Sequence, residues 1–324
     1  MAARVDWSSC DARDGRLSET QLCGYLQRID LDPNEVLSCP RDLALLTRVV
    51  TAHACSICFE MYDVCLGVPV SLALHDVYDK LVLRRRGGYC LENNGLCAAA
   101  LSALGFAPVR LRHARVWLRA TEYTPENPPI ARQHQVLVVR IGGRDFMVDV
   151  GFGGGSPSAP IELREQADVI ILGERYRLKN GGLHEDTWIL WGWRDLSWKR
   201  LFSFEHVGPE APIVHAADFI LCNHFVQVAA GTLFLTCRYS TRSLRGGGRV
   251  TIMRHELKET GPLNESIDEQ PTRITALDSA EALADALRVH MGVVLAKEEA
   301  RTLWEADNLL KASPSEAVND QKNG

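Results

Sequence analysis

The stretch RRRGGYCLENNG, residues 84–95, decides how the rest of the chain is interpreted. It places one cysteine, Cys90, between a glycine pair and a run with the apolar spacing of a helix, which Gly105 ends. The N-terminal end of a helix and nearby cations favour the thiolate form of a cysteine. The stretch therefore predicts a nucleophile at a helix start. The alternative is a structural cysteine beside a solvated basic face, Arg84–Arg86.

A nucleophilic thiol needs a base, and the hairpin RQHQVLVVRIGGRDFMVDVGFG at 132–153 supplies one. A two-residue turn at Gly142–Gly143 sets the register and puts Val136 opposite Asp149. His134 then lies on the same face as Asp149 and diagonal to it, within hydrogen-bonding reach. Cysteine, histidine and aspartate are the nucleophile, the base and the orienter of the base in covalent acyl transfer. The pattern alone leaves hydrolysis and transfer both open.

The overall composition is that of an ordinary globular protein. The 324 residues are 46% hydrophobic and 24% charged, with a formal net charge of -5, which argues against a general nucleic-acid binder. No apolar run has the length needed to span a bilayer. The N-terminus lacks the apolar core of a signal peptide. We therefore expect a cytoplasmic protein with reduced cysteines and no membrane partner.

A possible metal site lies at residues 53–65. His53, Cys55, Cys58 and Cys65 fall within thirteen residues, and two of them have C-x-x-C spacing. Structural zinc usually needs a second ligand pair further along the chain. Because the surrounding pattern is that of a buried helix and the segment after it, we expect buried free cysteines and no metal.

The chain divides by periodicity into a helical part, a β part and a mixed part. Short β-like runs separated by turn residues begin after Gly105 and predict a barrel or a small sandwich. The mixed part is predicted to contain strands at TLFLTCRY, 232–239, and RVTIMRHEL, 249–257, and a helix at 279–297. The predicted fold class is α+β multidomain. The predicted boundaries are 1–105 for the helical domain carrying the cysteine, 106–215 for the β domain carrying histidine and aspartate, 216–310 for an α/β domain, and 311–324 for a disordered tail.

These residues resemble the arylamine N-acetyltransferase family. Its R-G-G-x-C-x-E-x-N signature matches every fixed position of residues 86–94. Its histidine begins a strand, as His134 does, and its aspartate lies in a V-D-x-G-F-G run, as at 148–153. Weaker matches are Tyr25–Ile29 to Y-x-x-R-I and Phe59–Glu60 to P-F-E-N. The resemblance covers roughly residues 20–165.

The resemblance implies an architecture and a reaction. The architecture is a helical bundle, a β-barrel and an α/β lid around a cysteine-protease-like Cys-His-Asp core. The reaction is ping-pong transfer of an acetyl or related short acyl group from acyl-coenzyme A, through a thioester on Cys90, to an arylamine, an arylhydrazine or a similar acceptor. Acyl-CoA is a co-substrate, and no tightly bound cofactor is implied. The alternative within the fold is an amide synthase that takes its acyl chain from a carrier-protein thioester.

Supporting residues follow from the same resemblance and from local pattern. Phe152 matches an aromatic residue that lines the acceptor site. The N–H groups of Gly151, Gly153 and Gly154 are expected to hold a phosphate or a substrate carbonyl, the alternative being a flexible loop. A dinucleotide-binding interpretation of this loop fails, because the prolines after it forbid the required helix. The remaining residues are assigned to structural support, including a buried Arg86–Glu60 pair: Arg86, Glu60, Glu92 and Asn94.

The sequence departs from the family pattern in two places. Cys58 and Met61 replace the proline and asparagine of P-F-E-N. The lid segment 218–236 keeps Asp218, Asn223, Phe234 and Thr236. It has lost the Ser-Thr-x-Pro-like stretch expected around 226–231, which approaches coenzyme A in the family. The altered lid segment keeps the amide synthase open. Two further alternatives are a binding protein derived from an enzyme, against which the intact Cys-His-Asp set argues, and a thiol hydrolase.

Overall fold

The computed structural model describes residues 15–117, 131–165, 168–181, 187–208, 213–229, 232–264 and 269–312. These residues form an α+β fold in which N-terminal helices precede an eight-stranded antiparallel half-barrel and a five-stranded sheet with helices. The α+β class is confirmed. The predicted tail lies, except for its first two residues, outside the described ranges.

The N-terminal part is helical, as its apolar spacing predicts. Ser18 and Gln21 cap the first helix reciprocally, and Asp42 caps the third, where its Oδ1 accepts the Leu45 N–H at 2.9 Å. A π-helical turn at Asp79–Leu83 follows the fifth helix. The elements are α1 Glu19–Arg28, α2 Pro33–Ser38, α3 Leu43–Ser56, β1 Phe59–Glu60, α4 Tyr62–Cys65, α5 Leu74–Tyr78 and α6 Cys90–Ala103.

The half-barrel carries the predicted hairpin in the predicted register. Gly142 and Gly143 both have positive φ, and Ile141 pairs with Arg144. The sheet order is β5-β4-β3-β2-β9-β8-β7-β6, so among the described strands the two ends do not pair to close a barrel. The strands are β2 Val109–Val116, β3 Arg132–Ile141, β4 Arg144–Val148, β5 Ile161–Glu162, β6 Val169–Ile171, β7 Glu174–Asn180, β8 Thr187–Arg194 and β9 Ser197–Glu205.

The C-terminal sheet has the order β1-β10-β11-β12-β13, so a strand from the N-terminal part forms its edge. The prediction of a strand across 232–239 is wrong, because a short helix occupies its centre and the strand begins only at Tyr239. A 3₁₀ turn, Ala216–Phe219, precedes α7, and a π-helical turn, Leu287–Met291, follows α9. The elements are α7 Ile220–Val228, α8 Leu233–Thr236, β10 Tyr239–Ser243, β11 Arg249–Met253, β12 Glu256–Thr260, β13 Thr272–Ala276, α9 Ala280–Ala286 and α10 Lys297–Ala312.

Strand β3 separates two of the apolar cores. One face of the strand, with Leu137 and Val139, packs against the helices, including Leu96 of α6. The other face, with Val136 and Val138, lines the inside of the half-barrel. The first turn of α6 therefore lies beside the strand that carries His134.

Candidate active site

Cys90 is the first residue of α6, as predicted. The helix start is fixed by Glu92, whose Oε2 accepts the Tyr89 N–H at 3.0 Å. Cys90 is only 4% exposed, and its Sγ lies 3.8 Å from the carbonyl oxygen of Gln133, the residue before His134. The α6 start thus holds the thiol against the edge of β3.

His134 and Asp149 form a buried hydrogen bond. The Nε2 of His134 lies 2.8 Å from Asp149 Oδ2, and both side chains are almost fully buried. The rings of Phe152 and Phe202 flank the imidazole, with centroids 5.1 and 5.0 Å from it. Because Nε2 faces the carboxylate, Nδ1 is the ring nitrogen left for proton exchange with a substrate or a thiol.

Asn94 joins the cysteine helix to the histidine strand and to the aspartate. Its Nδ2 donates to Asp149 Oδ1 at 2.9 Å and to the Gln135 carbonyl, and its Oδ1 accepts the Val150 N–H at 3.0 Å. Gly151 packs against the same turn, where a Cβ at this position would lie 2.7 Å from Cys90 Cα. Glycine is therefore required at position 151 by the close approach of the two backbones.

A buried network of charges lies behind the start of α6. Arg86 pairs with Glu60 and Asp63 at 2.9 Å, so the predicted Arg86–Glu60 contact is confirmed. Lys80 pairs with Asp63 at 2.7 Å and with Glu92 at 2.8 Å. Three carboxyl groups face two cations, and burial raises the pKa of Glu92 to about 7 although Lys80 lowers it. Burial is the main cause of this raised pKa, and the charge of the neighbouring Glu60 adds to it.

The electrostatics of Cys90 differ from the prediction. Burial raises the pKa of its thiol well above the usual range, although backbone N–H groups of Gln135 and Leu91 hydrogen-bond to the sulfur and lower it. The prediction that Arg84–Arg86 promote the thiolate is wrong. Arg84 and Arg85 face solvent, and the charge of Arg86 is neutralised by its carboxylate partners.

The glycine loop after Asp149 is packed against neighbouring elements. The prediction that the Gly151 N–H holds a ligand is wrong, because this N–H donates to Asp149 Oδ1 at 2.8 Å. Gly153 has φ of +81°, and a Cβ there would lie 3.2 Å from the Phe59 ring. Its carbonyl accepts a hydrogen bond from Arg249 Nη1 at 2.8 Å. Phe152 is half-buried beside His134, and its N–H donates to Ser156 Oγ at 2.8 Å. Gly154 packs closely against Tyr239, because a Cβ at position 154 would lie 2.5 Å from the Tyr239 hydroxyl oxygen.

Helix α7 covers the start of α6. Asn223 accepts a hydrogen bond from the Tyr89 hydroxyl and donates to the Val70 carbonyl at 2.9 Å. Phe234 contacts the Tyr89 ring edge-on at 5.3 Å. The lid residues Asn223 and Phe234 therefore fix the residue immediately before Cys90. Part of the altered stretch, residues 230 and 231, lies outside the described ranges.

The cysteine-rich segment at 53–65 contains free thiols. Cys55 and Cys58 are buried, and Cys65 is partly buried. His53 instead hydrogen-bonds to the Tyr25 hydroxyl at 2.9 Å and to Asn93 at 3.2 Å. Across the ranges that the structure describes, His, Cys, Asp and Glu side chains form no group of three or more able to hold a metal ion. Within those same ranges no helix is both long and apolar enough to cross a bilayer.

Sequence reasoning missed several residues around the site. Lys80 and Asp63 complete the buried charge network, and Phe202 flanks His134 from the distant strand β9. The sequence around Lys80 has an ordinary amphipathic pattern, which gives no indication that this lysine is buried. In the structure it is buried between two carboxylate partners. Long-range contacts of this kind leave no local signal in a single sequence.

A helix-start cysteine beside a buried histidine–aspartate pair on a hairpin is the set of groups used by the class of enzymes that transfer acyl groups through a cysteine. A family model described as N-acetyltransferase matches residues 42–300. The chain belongs to the arylamine N-acetyltransferase family.

Three relatives illustrate the similarity. The arylamine N-acetyltransferase of Mycolicibacterium smegmatis is 42% identical over 187 residues, which are 56% of this chain and 64% of that protein. The arylamine N-acetyltransferase / N-hydroxyarylamine O-acetyltransferase of Salmonella typhimurium is 33% identical over 231 residues, 71% of this chain and 76% of that protein. The solved arylamine N-acetyltransferase of Mycobacterium marinum, in complex with CoA, is 31% identical with a TM-score of 0.73, covering 89% of this chain and 98% of that chain. The alignment with the first of these relatives thus spans slightly less than two thirds of its length.

Proposed function

We propose that this protein is an acyl-CoA-dependent arylamine N-acyltransferase that works through a thioester on Cys90. The observation that carries the proposal is the placement of Cys90 at the α6 start, against the strand whose His134 is hydrogen-bonded to Asp149 at 2.8 Å. Family membership supports the transfer of an acetyl group from coenzyme A to an arylamine.

The first half-reaction acylates the enzyme. With Nε2–H donated to Asp149, His134 has the tautomer whose Nδ1 accepts the proton of the Cys90 thiol. Burial disfavours an isolated thiolate. The thiolate therefore forms together with protonated His134, as an oppositely charged pair, when the proton passes from sulfur to Nδ1. The sulfur attacks the thioester carbonyl carbon of acyl-CoA. The tetrahedral intermediate expels the CoA thiolate, which takes the proton from His134.

The second half-reaction transfers the acyl group to the acceptor. The amine nitrogen attacks the acyl-Cys90 carbonyl carbon, and His134 Nδ1 takes the proton that the nitrogen loses. The Cys90 sulfur leaves as a thiolate when the amide forms, and it takes the proton from His134, which restores the thiol and the neutral imidazole. Phe152, half-buried beside the imidazole, offers an aromatic face for the ring of an arylamine or arylhydrazine, and the fully buried Phe202 packs against it at 5.1 Å.

Other site residues have proposed roles of orientation. Asn94 and Gly151 hold the cysteine turn against Asp149, and the Arg86–Glu60 pair and Glu92 support that turn from behind. The backbone of Gly153 and Gly154 is the proposed contact for the acyl donor. The domain boundaries at 105, 215 and 310, and a cytoplasmic location, remain predictions.

Intact-protein mass spectrometry after brief incubation with acyl-CoA thioesters, without any amine, tests the function. We expect one added acyl mass on the wild type and none on Cys90→Ala. Cys97→Ala is the matched control, because it removes a buried thiol two turns along the same helix and should acylate normally. Addition of an arylamine should then remove the adduct and yield the N-acyl product.

The other outcomes separate the alternatives. Loss of the adduct without amine at a high rate would indicate a thiol hydrolase. Acylation only by a carrier-protein thioester would indicate the amide synthase. An adduct on Cys90→Ala would contradict the assignment of the nucleophile.

A further inference from the structure

Gln135 is a buried polar residue for which the proposed reaction has so far given no role. Its side chain is only 3% exposed, and among the described residues its Nε2 has no hydrogen-bond partner. Its backbone is fully engaged with the cysteine turn, because its N–H bonds to the Cys90 sulfur and its carbonyl accepts from Asn94. A buried amide without a partner destabilises the fold, which calls for a functional explanation.

The Gln135 side chain lies on the opposite face of β3 from His134. Side chains alternate along a strand, so Gln135 shares its face with Leu137, which packs toward α6. Its direct partner across the sheet is His113 of β2. Residues opposite one another have Cβ atoms about 5 Å apart, so the imidazole and the carboxamide are neighbours. We call Gln135 and His113 the polar pair.

One member of the polar pair, His113, contacts the apolar cluster that contains Cys90. The His113 ring stacks on Phe219, the residue before α7, with centroids 4.1 Å apart. Phe219 belongs to the same apolar cluster as Cys90, and Leu111, on the face of the polar pair, packs against that cluster. The Nδ1 of His113 is likewise buried without a partner in the described part of the chain. Two unpartnered polar atoms thus belong to residues that pair across β2 and β3, and one of these residues contacts the cluster that contains Cys90.

The chemistry of the reaction indicates which substrate group lies there. Three groups surround the acyl carbon on Cys90: the leaving or attacking group, the carbonyl oxygen and the acyl chain. The CoA thiol and the amine both exchange a proton with His134, so they occupy the histidine face of β3, where Phe152 and Phe202 lie. The acyl chain exchanges no proton, so the other face of β3, which carries Gln135, is left for it.

We infer that Gln135 and His113 form an acyl-chain subsite that selects acyl groups carrying a hydroxyl close to the thioester, such as 2-hydroxyacyl or 3-hydroxyacyl groups. A hydroxyl can accept from the Gln135 amide and donate to His113 Nδ1 at the same time. An aliphatic chain of equal size leaves both groups unpaired. This inference rests on the proposed function, since it specifies the acyl group that Cys90 accepts.

The test compares acylation rates for thioesters that differ only by hydroxyl against methyl. The pairs are 3-hydroxybutyryl-CoA with isovaleryl-CoA, and 2-hydroxypropionyl-CoA with isobutyryl-CoA. The wild type is expected to prefer the hydroxylated member of at least one pair by on the order of tenfold or more. Gln135→Leu and His113→Phe should each reduce that ratio to near one, with acylation by the aliphatic member retained or faster.

A control and an internal reference keep the result interpretable. Leu111→Met changes packing on the same face at nearly constant volume and should leave the ratio unchanged. Acetyl-CoA acylation of the wild type reports on the proposed function independently of chain selectivity. A wild-type ratio near one for both pairs, with Cys90 acylated by acetyl-CoA, would overturn the subsite and leave the transferase intact. An unchanged ratio in Gln135→Leu would do the same.

Discussion

The two oxygens of Asp149 have different tasks, and that difference fixes the state of His134. Oδ1 accepts hydrogen bonds from Asn94 Nδ2 at 2.9 Å and from the Gly151 N–H at 2.8 Å. Oδ2 accepts from His134 Nε2 at 2.8 Å. Both donors at Oδ1 belong to the packed turn around Cys90, so the orientation of the carboxylate is determined by groups other than the histidine.

Asp149→Asn should therefore lower the rate of Cys90 acylation by about 10⁴-fold. The two donors at Oδ1 keep an oxygen at that position, which turns the new amide nitrogen toward His134 Nε2. A donor at this place forces the Nδ1–H tautomer, which cannot accept the thiol proton. The rate is measured by quenched-flow mass spectrometry with acetyl-CoA.

The chain contains a matched control for this substitution. Asp145 lies on β4, the strand that ends directly before Asp149. Its carboxylate hydrogen-bonds to buried His206 at 2.9 Å. Asp145→Asn makes the same chemical change to a His–Asp pair. Because the Asp145–His206 pair takes no part in the proposed reaction, the acylation rate should stay within about twofold of the wild-type rate. Near-normal acylation by Asp149→Asn would mean that the carboxylate does not set the tautomer.

Individual site residues differ in how far their local sequence predicts them. Cys90, His134 and Asp149 were brought together by a helix-start pattern and a glycine turn, both of which act over short distances along the chain. Gln135 could not be assigned, because its neighbour His113 and the Phe219 ring come from a second strand and from the lid. The pKa of Cys90 was predicted in the wrong direction, since burial depends on packing by distant segments.

At the scale of elements, the start of α6 rests on a charge network that contains one more carboxyl group than cations. The carboxyl group of Glu92 is not solvated by bulk water, because the residue is only 1% exposed. Its oxygens accept hydrogen bonds from Lys80 and from the Tyr89 N–H. Burial raises its pKa to about 7 from the ordinary value of 4.5, in spite of Lys80. The folded state therefore holds this proton to higher pH than the unfolded state does.

The sign of the resulting pH dependence follows from linkage. The folded protein binds the extra proton between about pH 4.5 and 7, so ionisation of Glu92 destabilises the fold as the pH rises through that window. Between pH 5.5 and 7.5 the wild type should lose about 2 kcal/mol of unfolding free energy from this group. Glu92→Gln should lack that loss, whatever its absolute stability.

Denaturant unfolding of both proteins at the two pH values measures the difference. Glu205→Gln is the control, because Glu205 is half exposed beside Arg132 and should change the pH dependence by little. A parallel pH dependence of wild type and Glu92→Gln would show that the surplus proton does not reside on Glu92.

Predictions of whole elements succeeded where one local rule dominated. The hairpin register held because two glycines at positive φ leave one favoured turn. Strand β7, ERYRLKN, was missed because its charged residues hide the alternation of buried Tyr176 and Leu178. At 232–239 the β-like composition was misleading, because α8 packs Phe234 onto Tyr89 near the active site. Tertiary contacts there outweigh β propensity.

At the scale of the molecule, the half-barrel and the C-terminal sheet meet at a buried ion pair. Arg249 of β11 bonds to Glu174 of β7 at 2.7 Å, and its guanidinium also donates to the carbonyls of Gly153 and Ser156 at 2.8 and 3.0 Å. Although burial raises the pKa of Glu174, Arg249 and Arg194 hold it below its ordinary value. One side chain thus links two sheets to the loop that follows Asp149.

Arg249→Met should lower the free energy of unfolding by about 3–5 kcal/mol, because Glu174 stays buried with one cation fewer. The loss also frees the two carbonyls of the glycine loop, so we expect faster chymotrypsin cleavage after Phe152 and a lower acylation rate. Arg245→Met is the control, four residues earlier and half exposed beside Asp30, and should cost no more than about 1 kcal/mol. Denaturant unfolding and timed proteolysis measure both effects. Equal stability of the two variants would show that the Arg249–Glu174 ion pair does not join the sheets. A loss of stability and of protease resistance confined to Arg249→Met would identify this ion pair as the connection that keeps the loop beside Cys90 in place.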